Sequence, residues 1–315
     1  MAADRSSLSS KRGNLRGLIR LARPLNLLYA AGTLALLRFG WMARWGTDGE
    51  FTSLPWPLFL EGMGVVVLLM AAGNWINAYF DVIEDRINRP DRAIVDRTVK
   101  RRVLILAHPT FNLIALGLAG HLSFALGSWT PLLMALGVAF LLWMYSARWK
   151  AIPLVGNGVV AGLIGLVPLW IGVLESPFHP AGSAAEQTLW LGMLAYGGMA
   201  SGIAMVREIA KDAQDIEGDL AAGKTTFPAR YGKQAARWTC LALLLLIGLA
   251  YGTALSTMDL ESGAASLLQW SVPAVGWSWA LLLLTGAETR WDRVSTATLL
   301  TLLLGSLQCL WIDGF

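Results

Sequence analysis

The sequence predicts an all-α membrane protein, a single bundle of nine transmembrane helices. Three observations predict it. Charged residues make up only 15% of the 315 residues and hydrophobic ones 55%, where a soluble domain carries about 25% charged. Nine apolar runs have roughly the 20-residue length that crosses a bilayer. The lysines and arginines fall on alternate connections between those runs, as they do when basic residues stay on the cytoplasmic side.

The predicted spans are 25–43, 58–80, 103–126, 129–147, 153–174, 188–206, 236–256, 266–287 and 294–312. Several contain Gly or Pro, such as Gly165 and Pro168 in the fifth. Membrane helices tolerate these because neighbouring helices and local adjustments satisfy the freed backbone groups. With the N-terminus inside, 23 of the 25 basic residues lie in the tail, the inner connections or, for Arg237, at the inner end of the seventh span. Arg44 is on the outer side, and Arg38 lies near the outer end of the first span. A wrong helix count would scramble that alternation. The expectation is therefore a basic cytoplasmic segment, 1–24, followed by one membrane domain, 25–315, in the inner or plasma membrane with its C-terminus outside.

Composition also excludes some functions. The net charge of +4 is gathered in short clusters between apolar runs, which argues against a nucleic-acid surface. Cys240 and Cys309 lie inside apolar runs and read as packing residues. His108, His121 and His179 have no metal-ligand spacing. The N-terminus has no short hydrophobic core with a cleavage site, so no removable signal peptide is expected. No obligatory protein partner is evident.

The chemistry is expected in two inner segments. The second span runs into Asn74, Asn77, Asp81 and Asp85. Asn77, Asp81 and Asp85 are four apart, which puts them on one helical face. Like charges at that spacing destabilise a helix, and a carboxylate near the bilayer is costly. A divalent cation offsets both, and carboxylate and amide oxygens are the hard ligands that Mg²⁺ takes, together with phosphate. The second segment, at the end of the sixth span, places Glu208, Asp212, Asp215 and Asp219 at spacings of four, three and four, with Arg207 and Lys211 between them. Lys224, Arg230 and Lys233 follow. Either cluster alone reads equally well as a solvated helix end. Two on the same side can bracket a diphosphate.

At these residues the chain resembles the UbiA superfamily of intramembrane prenyltransferases. The first family motif, NDxxDxxxD, is matched by Asn77, Asp81 and Asp85, followed by Arg86, Asn88, Arg89, Pro90 and Arg92; Ala78 stands where many members have Asp. The second, DxxDxxxD, is matched by Asp212, Asp215 and Asp219. Tyr145, Ser146, Trp149, Lys150 and the stretch 153–157 also look family-like. The residues Arg207–Ile209, Lys211, Asp212, Asp215–Asp219 and Lys224–Thr226 most resemble the digeranylgeranylglyceryl phosphate synthase branch.

The resemblance implies a central cavity open to the cytoplasmic side, with the two Asp motifs facing across it. It implies Mg²⁺, with Mn²⁺ as a substitute, held by Asn77, Asp81 and Asp85 on one side and by Asp212, Asp215 and Asp219 on the other. The partners it implies are a prenyl diphosphate donor, a lipophilic acceptor and the lipid bilayer. Arg92, Lys150 and Lys211 are candidate phosphate contacts, Tyr145 a candidate for orienting or deprotonating the acceptor, and Asn157 a candidate cavity residue. The expected reaction moves geranylgeranyl from its diphosphate to geranylgeranylglyceryl phosphate; an aromatic acceptor of quinone, tocopherol or chlorophyll type is the alternative. A transporter would place its acidic residues deeper in broken helices. A membrane phosphatase would need a nucleophile beside the metals, and the clusters offer no compelling Ser, Cys or His.

Overall fold

The computed structural model describes residues 15–43, 53–91, 93–256 and 263–309. Among them there is no strand, only an isolated bridge between Val95 and Val99. Residues 15–21 are helical. The helices that follow are α1 (Pro24–Leu36, continued by a π-helical turn, Leu37–Met42), α2 (Trp56–Phe80), α3 (Val82–Asn88), α4 (Arg101–Ala125), α5 (Thr130–Ala147), α6 (Val155–Glu175), α7 (Ala184–Ala221), α8 (Phe227–Ser256), α9 (Gly263–Thr285) and α10 (Trp291–Gln308). Each predicted span falls on a helix over its described residues; residues 310–312 of the last lie outside them. Six of the described helices are long and apolar enough to cross a membrane. They turn large apolar side chains outward: Phe124 is 87% exposed and Leu191 71%. A water-soluble surface avoids contiguous apolar area of that kind, whereas lipid accepts it. The molecule is an all-α, multi-pass membrane protein.

The chain forms two compact units, each assembled from separated segments: Met1–Ala31, Trp56–Lys150 and Glu217–Lys224 in the first, and Gly32–Pro55, Ala151–Ile216 and Thr225–Phe315 in the second. In the first unit α2, α4 and α5 pack against one another. The 15–21 helix is held on α2 by polar tethers: the Trp75 indole donates to the Leu18 carbonyl at 2.9 Å and the Asn74 amide to that of Ala22 at 2.8 Å. Asn74, which the spacing sets near the metal face, thus serves the packing of this segment. Trp75 also meets the edge of Phe111 at 4.5 Å.

In the second unit α9 packs on α8 and α10, and the Trp277 indole donates to the Leu244 carbonyl at 2.9 Å. The pair α6 and α7 meets through small residues. A Cβ on Gly165 would strike the Gly197 carbonyl and Ser201, and one on Gly197 would strike the Gly165 carbonyl. Backbones come this close in membranes where dispersion and small residues, not water exclusion, bring helices together.

Helix lengths also place the charged segments. At 1.5 Å per residue, the 38 residues of α7 span about 57 Å, well beyond a hydrocarbon core about 30 Å thick. The sequence sets the second acidic cluster beyond the sixth span; in the structure it rides on the same unbroken helix. The first cluster differs in the other direction. α2 stops at Phe80, and Asp81 has φ −87° and ψ 17°, a bridge conformation between α2 and α3. Such residues are common at active sites. The four-residue spacing survives because Asp81 still bonds back to Asn77 and Asp85 back to Asp81 through the main chain, both at 2.9 Å.

Candidate active site

In the first unit the chemistry centres on Asp81, which is 4% exposed. It accepts from the Asn77 amide at 2.6 Å and from the Lys224 ammonium at 2.9 Å, and it pairs with Lys150. Lys224 also pairs with Glu84, itself 4% exposed. Burial alone would raise the Asp81 carboxyl, but the ammoniums of Lys150 and Lys224 outweigh it and hold it below the usual carboxylate range. Burial opposes the charge on Lys150. The Asp81 carboxylate, with Tyr145 and Asp219, overcomes that and holds the ammonium above the usual lysine value.

Asp85 is in the opposite position. Burial and the neighbouring Asp81 charge raise it, against the weaker pull of Lys150, Arg23 and Arg89. Two carboxylates one turn apart therefore have different electrostatic characters: Asp81 is saturated with cations, while Asp85 is short of them.

The end of α7 joins this unit. The Gly218 N–H donates to the Asn88 side-chain oxygen at 3.1 Å, and a Cβ at 218 would collide with that side chain. The contact fastens the last turn of the second motif beside the first, where the Asp219 carboxylate acts on Lys150.

In the second unit Asn157, 6% exposed at the start of α6, donates to the Asp212 carboxylate at 2.7 Å. Asp215 follows on the same face of α7 and is part-exposed. Lys211 takes a different direction: its ammonium bonds both carboxylate oxygens of Glu208 at 2.9 Å, and Arg207 bonds the same group at 3.1 Å.

The structure thus brings together Asn77, Asp81, Lys150 and Asp219, with Tyr145 near Lys150, and joins Asn157 to Asp212. Lys211 is committed to Glu208, and Arg92 lies outside the described residues. Three contributors were not among the predicted site residues: Glu84, Lys224 and the Asn88 tether. Glu84 could have been found three residues after Asp81, on nearly the same face, and Lys224 in the polar loop after the second motif.

Among the described residues no three His, Cys, Asp or Glu side chains converge closely enough to hold a metal as they stand. The donor set nonetheless fits a hard divalent cation. The carboxylate and amide oxygens of the motif residues are hard donors, and Asn77 Oδ1 is buried without a hydrogen-bond partner, an atom that costs free energy until something coordinates it.

The chain is similar to known proteins. Several curated relatives carry the name digeranylgeranylglyceryl phosphate synthase. The one from Methanoregula boonei is 36% identical over 220 residues, 69% of each chain. That from Methanopyrus kandleri is 33% identical over 282 residues, 84% of this chain and 91% of its own. A solved UbiA homologue from Archaeoglobus fulgidus, bound to DMAPP and Mg²⁺, shares the fold with a TM-score of 0.57 at 17% identity, over 94% of this chain and 99% of that one. The model of the UbiA prenyltransferase family matches residues 40–302, and over a match of that extent the chain belongs to the UbiA prenyltransferase family.

Proposed function

We propose that this prenyltransferase transfers a geranylgeranyl group from its diphosphate to the hydroxyl of geranylgeranylglyceryl phosphate, in ether-lipid synthesis. The observation that carries the reading is the buried carboxylate Asp81 paired with Lys150 and Lys224, in a chain over 30% identical to relatives named for that reaction. Nine membrane spans, a cytoplasmic N-terminus and a substrate cavity open to the cytoplasmic side belong to this proposal. The basic residues on alternate connections support it.

The donor diphosphate is held by the two motifs, Asn77, Asp81 and Asp85 with Asp212, Asp215 and Asp219. Magnesium, with manganese as a substitute, would supply neutralisation of the diphosphate and stabilisation of its departure. Lys150 and Lys224 are positioned to move from carboxylate to phosphate oxygens and add fixed positive charge where negative charge develops. Asn157 orients Asp212 by its hydrogen bond. The allylic C–O bond breaks with carbocation character and the diphosphate departs with the electron pair; the acceptor oxygen attacks C1 and its hydroxyl proton passes to the departing diphosphate, with Tyr145 the candidate group to orient the acceptor or, as phenolate, to take that proton. Apolar helix faces keep water from the cation, which it would otherwise hydrolyse.

The acceptor assignment predicts a requirement for its phosphate. Charge-assisted contacts are worth roughly 1.5–3 kcal/mol each, so the dephosphorylated acceptor should react at least ten-fold less efficiently with the same donor. Equal rates, or faster transfer to an aromatic acid, would overturn the ether-lipid assignment and leave a prenyltransferase with another acceptor.

A further inference from the structure

The segment after α2 carries three carboxylates in close succession, Asp81, Glu84 and Asp85, and the first motif uses only Asp81 and Asp85. Glu84 is 4% exposed, and its cationic partner is Lys224. A buried carboxylate is costly unless its charge is matched. Even a matched pair is often no more stable than apolar residues of the same volume, so stability alone does not explain why Glu84 and Lys224 meet here.

Lys224 is placed from its main chain outward. Gly223 has φ 74°, and the N–H groups of Gly223 and Lys224 donate to the carbonyls of Leu220 and Asp219 at 3.0 and 2.8 Å. That pair of bonds is the Schellman closure of a helix, with glycine in the left-handed position. It ends α7 and ties the Lys224 backbone to the last residue of the second motif. From there the side chain reaches the first segment, where its ammonium lies against both Asp81, at 2.9 Å, and Glu84. An ammonium has three donors and can serve both carboxylates.

Both oxygens of Asp81 are taken. Oδ1 accepts from Lys224, and Oδ2 accepts from Asn77 and Lys150. A divalent cation that takes Asp81 as a ligand must therefore displace an ammonium. Lys224 can leave Asp81 and remain paired, because Glu84 stays beside it. The lysine is a point charge on a flexible stem, and its fixed backbone keeps it at the site during the exchange.

We propose that Glu84 is a positioning residue for metal binding, which takes over the Lys224 ammonium as Asp81 passes to the divalent cation. The inference rests on the prenyltransferase reading and adds a residue outside its motifs. Without Glu84, Asp81 is the carboxylate left to Lys224, and the lysine competes with the metal for it. Without both Glu84 and Lys224 that competition ends, but a cation for the donor diphosphate is lost.

The test reads Mn²⁺ binding to the purified protein in detergent by electron paramagnetic resonance, and then binding of inorganic diphosphate at saturating Mn²⁺ by calorimetry. Glu84→Gln should weaken Mn²⁺ binding by about ten-fold, the worth of one charge-assisted contact, and leave diphosphate affinity at saturating Mn²⁺ unchanged. Adding Lys224→Met to Glu84→Gln should restore Mn²⁺ binding and weaken diphosphate binding by about ten-fold, for the same reason. A purely structural anchor would lose both kinds of binding together in Glu84→Gln. A direct metal ligand would leave the double variant as weak for Mn²⁺ as the single one. Either result would overturn the proposal, as would unaltered Mn²⁺ binding in Glu84→Gln. Should Glu84→Gln fail to fold, the double variant, which removes both charges, decides by itself: unweakened Mn²⁺ binding with weakened diphosphate binding supports the proposal, and any other pattern overturns it. The expected pattern in a protein that transfers no prenyl group would remove the assigned reaction and keep the role of Glu84; an unaltered protein that binds neither Mn²⁺ nor diphosphate would remove both.

Discussion

The molecule buries two groups of opposite charges, and they are built differently. In the second unit, Glu175 is 0% exposed, accepts from the main-chain N–H groups of Ser53 and Leu54, and pairs with Arg38 at 3.8 Å. Every element of that arrangement is fixed: two backbone donors and a guanidinium, whose planar fork is pre-organised for carboxylates. In the first unit, Asp81 and Glu84 are nearly as buried, yet their counter-charges are Lys150 and Lys224, whose side chains keep 21% and 14% of their exposure. A lysine is a mobile point charge on a flexible stem. It can leave one anion for another, which a carboxylate closed by backbone amides has no means to do. The arrangement around Asp81 is therefore suited to exchange cations with a ligand, and that around Glu175 to hold segments together.

Substitutions should separate the two. Asp81→Ala and Asp215→Ala should each lower transfer by about a thousand-fold or more, some 4 kcal/mol of barrier, with the melting temperature in detergent little changed, and chelation by EDTA should do the same to the unaltered protein until Mg²⁺ is restored. Full activity in either folded variant would remove that cluster from metal binding. Glu175→Ala should show the reverse pattern. It leaves Arg38 buried without its partner, which costs about 3–5 kcal/mol, so thermal stability should fall steeply; a stable Glu175→Ala variant would show that the pair is not structural.

Lys224→Ala should be milder. Losing one charge-assisted contact, worth about 1.5–3 kcal/mol, should lower kcat/KM for the donor by ten-fold or more, mostly through KM, and an unchanged KM would confine Lys224 to its carboxylates. Gly218→Ala should be smallest, about 1–3 kcal/mol from overpacking against Asn88, read as weaker Mg²⁺ activation rather than unfolding. A variant with unaltered Mg²⁺ response would mean that the tether does not position Asp219.

Much of this contrast was legible in the sequence, and the legible part is local. The apolar runs name the helices because a span must satisfy its own backbone. The spacings 77, 81, 85 and 212, 215, 219 put like residues on one face because helices repeat every 3.6 residues. Where those expectations shift, the reason lies beyond the local pattern: α2 breaks at Asp81, and α7 runs on past its apolar stretch because charged residues still favour helix outside the bilayer.

Which charge meets which is not local. Lys211 is interleaved with the second motif, yet it turns three residues back to Glu208. Lys224 is 143 residues from Asp81 and bonds it. Asn157 finds Asp212 across 55 residues. Glu175 lies one residue beyond the predicted fifth span, and its partner Arg38 lies near the end of the first. The sequence by itself determined the helices, their apolar character and the residue types at their charged ends, because those follow from repeat, length and transfer free energy along the chain. Only the tertiary structure decided the pairings, because they depend on directions taken by side chains from segments that lie far apart in the sequence.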